Sequence, residues 1–133
     1  MSAHDVLADA LAGALGRHAP LMAEINGVFD AQPLRGVRPY ALIEDALLTD
    51  WSTKDLIGRE GRLSVTLFDQ GVSPRRLRGL IGEVEAAVLG LPRMLGEGWR
   101  VASLSVVRSR VVREGEGRWA ALCEFRVRML QVQ

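Results

Sequence analysis

The 133 residues hold one cysteine, Cys123, so there is neither a disulfide framework nor a CxxC metal motif. A lone thiol suits a reducing compartment such as a cytoplasm. There are two histidines, His4 and His18, at the two ends of a predicted helix. At the standard helical rise they lie about 21 Å apart along the axis and cannot share a metal or a proton. GxSxG, HExxH and the phosphate-binding GxxxxGK[ST] are all missing. The adjacent carboxylates Glu44 and Asp45 sit on a predicted strand, where neighbours point to opposite faces, so they make a poor acid–base pair. No catalytic residue, cofactor or metal is expected. No apolar run reaches transmembrane length, and the opening MSAHDVLADALAGALG carries acids where a signal peptide carries basic residues. The expectation is a soluble intracellular protein with no membrane partner, free of repeats and low-complexity tracts.

With 48% hydrophobic and 25% charged residues, the composition is that of an ordinary globular protein. The length predicts one domain, residues 1–133, able to bury roughly two-thirds of its unfolded surface. A net charge of +1 excludes a strongly basic nucleic-acid binder. The charge is unevenly spread. Residues 1–50 hold three arginines and seven acids, and residues 51–133 hold fourteen basic and nine acidic residues. Such a chain can meet copies of itself head to tail if the two halves form opposite surfaces; if folding mixes them, the polarity vanishes. Sixteen of the seventeen cations are arginine, which suits fork-like pairing at interfaces.

Ser2-Ala3-His4-Asp5 has the form of a capping box, and Leu7, Leu11, Ala14 and Leu15 follow at helical spacing. This predicts a helix from Ser2 to about Arg17, stopped by Gly16 and Pro20. Leu21–Ile25 reads as a further helical turn or an apolar tether, Gly27–Asp30 as a short strand, and Gln32–Pro39 as a loop. Tyr40–Leu47 is a mostly apolar strand, and Leu48–Gly61 a polar excursion. Arg62–Asp69 alternates, with Leu63, Val65 and Leu67 on one face. Ser73-Pro74 predicts the cap and first position of a second helix, whose core stripe is Leu77, Leu80, Ile81, Val84, Val88 and Leu91. Arg100–Arg113 and Arg118–Leu130 form a long hairpin. With Gly115-Glu116 as its turn, facing residues sum to 231. That register sets Cys123 opposite Arg108, where the thiol's pKa could fall, although a small core residue explains Cys123 as well. It also puts Arg108 and Arg110 on the apolar face, in an outer half that projects beyond the core. The predicted fold class is α+β: a mainly antiparallel four-stranded sheet, two helices on one face and a long C-terminal β-hairpin.

Three features ask for a partner. Arg75, Arg76 and Arg78 crowd the start of the second helix, against the dipole preference for acids there, and none has an acid three or four residues ahead. They form either a solvated face or a receptor for carboxylates or phosphates. Trp51 stands in the polar loop Trp51-Ser52-Thr53-Lys54-Asp55, either anchoring it to the core or serving as an interface anchor. Arg108, Arg110, Arg113 and Arg118 flank the hairpin tip, where charge also protects edge strands.

Taken in order, Val28-Phe29-Asp30, Pro39-Tyr40, Asp50-Trp51-Ser52-Thr53-Lys54, Gly58-Arg59-Glu60-Gly61-Arg62-Leu63-Ser64-Val65, the Ser-Pro helix and the final hairpin resemble the tail completion, or tail terminator, proteins of long-tailed phages and gene transfer agents. The resemblance covers nearly the whole chain. Many members carry a histidine after that glutamate, where this chain has Gly61. It implies a non-enzymatic virion subunit forming a ring, commonly a hexamer, on the tail tube. Its partners would be copies of itself, the tail tube protein and the head–tail connector or stopper. DNA would pass through the lumen without base-specific contacts. The subunit would assemble in the cytoplasm of the bacterial producer cell and end at the tail–neck junction. The implied interface residues are those of the three features above, with Arg59. The rival from another class is a small dimeric α+β ligand-binding or regulatory module, which needs a pocket with convergent polar groups. A small enzyme using Cys123 or a carboxylate is the third reading.

Overall fold

The last strand in sequence is the middle of the sheet. In the computed structural model, which describes residues 1–132, β7 (Arg118–Gln131) lies between β4 (Ile57–Gln70) and β6 (Trp99–Gly115) and is paired along its length on both sides. The remaining strands are β1 (Val28–Phe29), β2 (Tyr40–Ile43), β3 (Leu47–Asp50) and β5 (Met94–Gly96). The order is β1-β2-β4-β7-β6-β5, with β3 also on β4, giving seven strands. All pairs are antiparallel except β1–β2, which is parallel. The expected α+β class holds, but the four-stranded antiparallel sheet is corrected to a seven-stranded mixed one.

Helices α1 (Ala3–Arg17) and α3 (Arg75–Leu89) pack on each other and cover one face of the sheet; α2 (Ala19–Met22) is a single turn. The predicted capping box is present, with Ser2 and Asp5 each bonded to the other's backbone N–H. The core joins Leu7, Leu11 and Leu15 of α1 and Leu77, Val84 and Val88 of α3 to the sheet. From β4 it takes Leu63, Val65 and Leu67, the alternating face read from the sequence, and from β7 Ala121, Cys123, Phe125, Val127 and Met129. α3 starts one residue later than expected, with Pro74 as its cap residue, although the Ser73 hydroxyl still accepts from the Arg75 N–H at 3.2 Å. The opposite face carries no helix; Ser64, Thr66, Glu124, Arg126 and Arg128 stand there together with the apolar Phe68 and Leu122.

The excursion 48–61 is not a loop. Leu47–Asp50 turns back on Ile57–Arg62 as a hairpin, leaving six residues between strands. The hairpin curls tightly, and a Cβ at Gly61 would run into the Leu47 carbonyl, as one at Gly58 would into that of Trp51. A side chain after Glu60 therefore does not fit beside this strand.

The C-terminal hairpin also departs from its expected register. Its turn is Glu116-Gly117, with Gly117 in the left-handed region at φ 67°, which glycine enters without a Cβ clash. The sum of 231 holds only from Ser103↔Arg128 to Val106↔Phe125. Irregularities between Val101 and Ser103, Val106 and Arg108, and Arg113 and Gly115 shift the rest. An extra residue reverses the face of everything after it. Arg108 and Arg110 thus leave the apolar face, standing opposite Glu124 and Leu122 on the helix-free side, while Ser109 takes the place opposite Cys123. Nor does the hairpin project: β4 follows it to Gln70↔Arg118, and the Gly71 N–H donates to the Gly117 carbonyl at 2.9 Å.

Candidate functional site

The expected interface residues fall into three separate places. The first is the turn between β3 and β4. The Ser52 hydroxyl donates to Asp50 Oδ1 at 2.5 Å and accepts from the Gly58 N–H at 3.0 Å. That hydroxyl, assisted by the Ser52 N–H and Arg59, holds the Asp50 carboxyl below the usual aspartate value against the opposing effect of desolvation. Thr53 Oγ1 accepts from the Asp55 and Leu56 N–H groups at 3.3 and 3.0 Å, so the turn is shaped by its own side chains. Lys54 and Asp55 are left facing solvent. Arg59 donates to Asp50 at 3.3 Å and to the Gly58 carbonyl at 2.8 Å. Trp51 is half-buried, neither sunk in the core nor free. Its ring lies 5.3 Å from the Arg128 guanidinium, whose Nε donates to Glu60 Oε2 at 2.9 Å.

The second place is the start of α3. Here the three arginines are not equivalent. Arg76 reaches back across the β4–α3 turn and grips Asp69 with both arms of its fork, Nε–Oδ2 at 2.9 Å and Nη2–Oδ1 at 2.6 Å. Asp69 is only 2% exposed and also accepts from the Gln70 N–H at 2.8 Å. Burial alone would raise its pKa, but the Arg76 hydrogen bonds, the Gln70 N–H and the charges of Arg76 and Arg38 outweigh burial and lower it. Arg38 extends the cluster, donating to the Asp69 carbonyl at 3.1 Å and to Glu114 at 3.0 Å while lying over the Phe68 ring. Arg76 thus has a partner within the chain, seven residues back where helical spacing does not look. Arg75 and Arg78 are exposed and, among the described residues, form no ion pair.

The third place is the outer strand β6. Arg108, 76% exposed, comes within 3.5 Å of Glu124, which Arg62 binds more closely at 3.0 Å. Arg110, Arg113 and Arg118 are exposed, and Arg113 Nε donates to the Gly115 carbonyl at 3.3 Å.

The residues weighed for chemistry are placed quite differently. Cys123 is 1% exposed beneath the helices, and Arg108 points away from it. Burial, with Glu85 adding to it, pushes the thiol up to about 12, so it is protonated and unreactive at neutral pH. His18, at the C-terminal end of α1, is partly buried and contacts Glu83 of α3 at 2.9 Å. Glu44 and Asp45 lie between β2 and β3, where Glu44 accepts from Thr66 Oγ1 at 3.1 Å. An open recess of about 360 Å³ on the helix-free face is lined by Glu44, Ser64, Thr66, Arg108, Arg110 and Glu124, among others; in it Arg108 approaches Glu124 and Glu44 accepts from Thr66.

This fold recurs in a solved structure titled "Virion of native gene transfer agent (GTA) particle". A chain there aligns with a TM-score of 0.76 over 92% of each chain at 20% identity, which places the protein in the fold class of a virion component. The family is defined more directly. The chain belongs to the family of tail completion protein gp17, whose model matches residues 9–130, and it is thus a structural protein of the phage-tail type. No curated protein matches the chain.

Proposed function

We propose that the protein forms a ring that caps the tail tube and joins it to the head–tail connector of a phage or gene transfer agent particle, without enzymatic activity. The observation that carries this reading is the family match over residues 9–130, supported by the likeness to a chain of a gene transfer agent virion. In a ring, each subunit meets the next through unlike surfaces related by rotation. The Trp51–Asp55 turn with Arg59, Arg75 and Arg78, and the arginines of β6 and the hairpin tip are the surfaces offered to neighbour, tube and connector. Arg76 stands beside this set with its fork engaged by Asp69. DNA passes through the lumen without base reading, and the protein's place is the tail–neck junction after assembly in the producer cell.

Mass photometry of the purified protein, alone and with purified tail tubes, tests the reading. A particle near six subunits, alone or only on tubes, supports it. A fixed dimer indifferent to tubes refutes it and favours a dimeric ligand-binding module.

A further inference from the structure

The sheet ends on both sides in an edge with no partner strand. β5 covers β6 only at Trp99 and Arg100, with the Val101 N–H bonded to the Arg93 carbonyl. From Ala102 onward no strand among the described residues lies outside β6. On the other side β3 pairs with β4 alone. An open edge presents unpaired N–H and C=O groups, a template for another strand. Between its irregularities, β6 keeps six residues, Arg108–Arg113, in unbroken register with β7. That segment is regular enough to take the four residues of β3.

Charge and apolar surface distinguish the two edges. The β6 edge carries Arg108, Arg110 and Arg113, while nearby Glu114 is held by Arg38. The β3 edge follows Glu44 and Asp45, which with His4, Asp5 and Asp30 line a recess of about 110 Å³. Leu47 on that edge is 74% exposed, and Val106 and Val107 beside the arginine segment are 39% and 38% exposed. Strand direction agrees as well. The steps β3–β4, β4–β7 and β7–β6 are all antiparallel, so β3 runs opposite to β6. A copy brought alongside by rotation about an axis near the strand direction lays its β3 antiparallel to β6.

We propose that the Arg108–Arg113 edge of β6 in one copy adds antiparallel to the Leu47–Asp50 edge of β3 in the next, so that Asp50 falls at the Arg108–Arg110 end and Asp45 at the Arg113 end. The sheets of neighbouring subunits then run on into one another. The two edges differ, so the contact is head to tail, the type that closes into rings. This inference rests on the ring reading and names the surface that builds it. The bulge at Val107 and the arginines otherwise serve only to keep other strands away, in which case the edge stays open in the ring.

Hydrogen exchange read by mass spectrometry, on the protein alone and in the assembled particle, separates these outcomes. Peptides covering Arg108–Arg113 and Leu47–Asp50 should gain at least about ten-fold protection on assembly, while β7, already paired on both sides, changes little. A ring in which both segments exchange as fast as before overturns the strand addition and leaves the ring reading standing. Failure to form a ring either alone or on tail tubes overturns both. Charge exchange gives a second test. Arg113→Glu, and separately Asp45→Arg, should each stop assembly, and an equimolar mixture of the two variants should restore it as an alternating ring. A mixture that stays monomeric, or either variant assembling alone like the wild type, refutes the pairing.

Discussion

The Asp69–Arg76 pair invites a quantitative test, because one partner is buried and the other is not. Removing one member of a fully buried pair costs about 3–5 kcal/mol. In Asp69→Ala the stranded partner is Arg76, whose side chain is 48% exposed, so it can hydrate, and the expected loss falls to about 2–3 kcal/mol. Arg76→Ala is the harsher change. It leaves a carboxylate with 4% side-chain exposure held by the Gln70 N–H, and about 3–4 kcal/mol is expected. The double variant should lose little more than either single one, giving a favourable coupling of about 2 kcal/mol. For a domain of this size Asp69→Ala corresponds to a melting-temperature drop of about 6–12 °C. Urea unfolding at pH 7 measures all four corners of the cycle.

The pH dependence has a fixed sign. The folded pKa of Asp69 is depressed, so its contribution is fully present above the unfolded value of about 3.9. It is lost as the pH falls through the lower folded value. The gap between wild type and Asp69→Ala should therefore narrow on acidification below about pH 4. A loss under about 0.5 kcal/mol at pH 7, or single losses that simply add, would falsify the latch and return Arg76 to the set of cations awaiting an outside partner.

Trp51→Ala should cost about 1–2 kcal/mol, from the cation–π contact with Arg128 and the covered part of a half-buried ring, yet impair joining to tail tubes; a loss of about 4 kcal/mol would mean that Trp51 is part of the core. Arg75→Glu with Arg78→Glu should leave the melting curve nearly unchanged and weaken attachment, and unaltered attachment would identify that face as merely solvated. Gly79→Ala and Gly82→Ala, where an added Cβ meets nothing, should each stabilise the chain by up to about 1 kcal/mol. Gly61→Ala, by contrast, should destabilise it by displacing β3, visible as a lower urea midpoint. Cys123 should react with a thiol reagent at pH 8 only at the rate of unfolding, and fast labelling of the folded chain would show that it is accessible.

Much of the fold was legible where the signal is local. The Ser2–Asp5 box, the alternation through Leu63, Val65 and Leu67, and the stripe of α3 each depend on neighbours a few residues away. What was missed depends on distant partners. β3 is a four-residue strand that is exposed or half-exposed throughout; nothing in Leu-Leu-Thr-Asp announces a strand until β4 lies beside it. Val106-Val107 gives no sign of which valine is the extra one, yet that choice decides which face Arg108 and Arg110 occupy. The Asp69–Arg76 bond spans a turn, so helical spacing could not reveal it. Among the candidate residues, the tryptophan turn and the arginine clusters stood out in the sequence by residue type and position alone. Their partners Glu60, Arg128, Asp69 and Arg38 became visible only with the chain folded.

The position of β7 has a consequence for how the molecule is made. Its partners across β4 are distant, from Gln70↔Arg118 to Ile57↔Gln131, so the central pairing joins residues roughly fifty to seventy apart in sequence. Contacts of such separation must close large loops before they return any stability, which slows folding. On the ribosome, β4 emerges with its inner edge bare and waits while α3, β5 and β6 are synthesised before its neighbour exists. A nascent chain at that stage displays Leu63, Val65 and Leu67 on a strand paired along one edge only, the kind of intermediate that chaperones intercept and that aggregates when they do not.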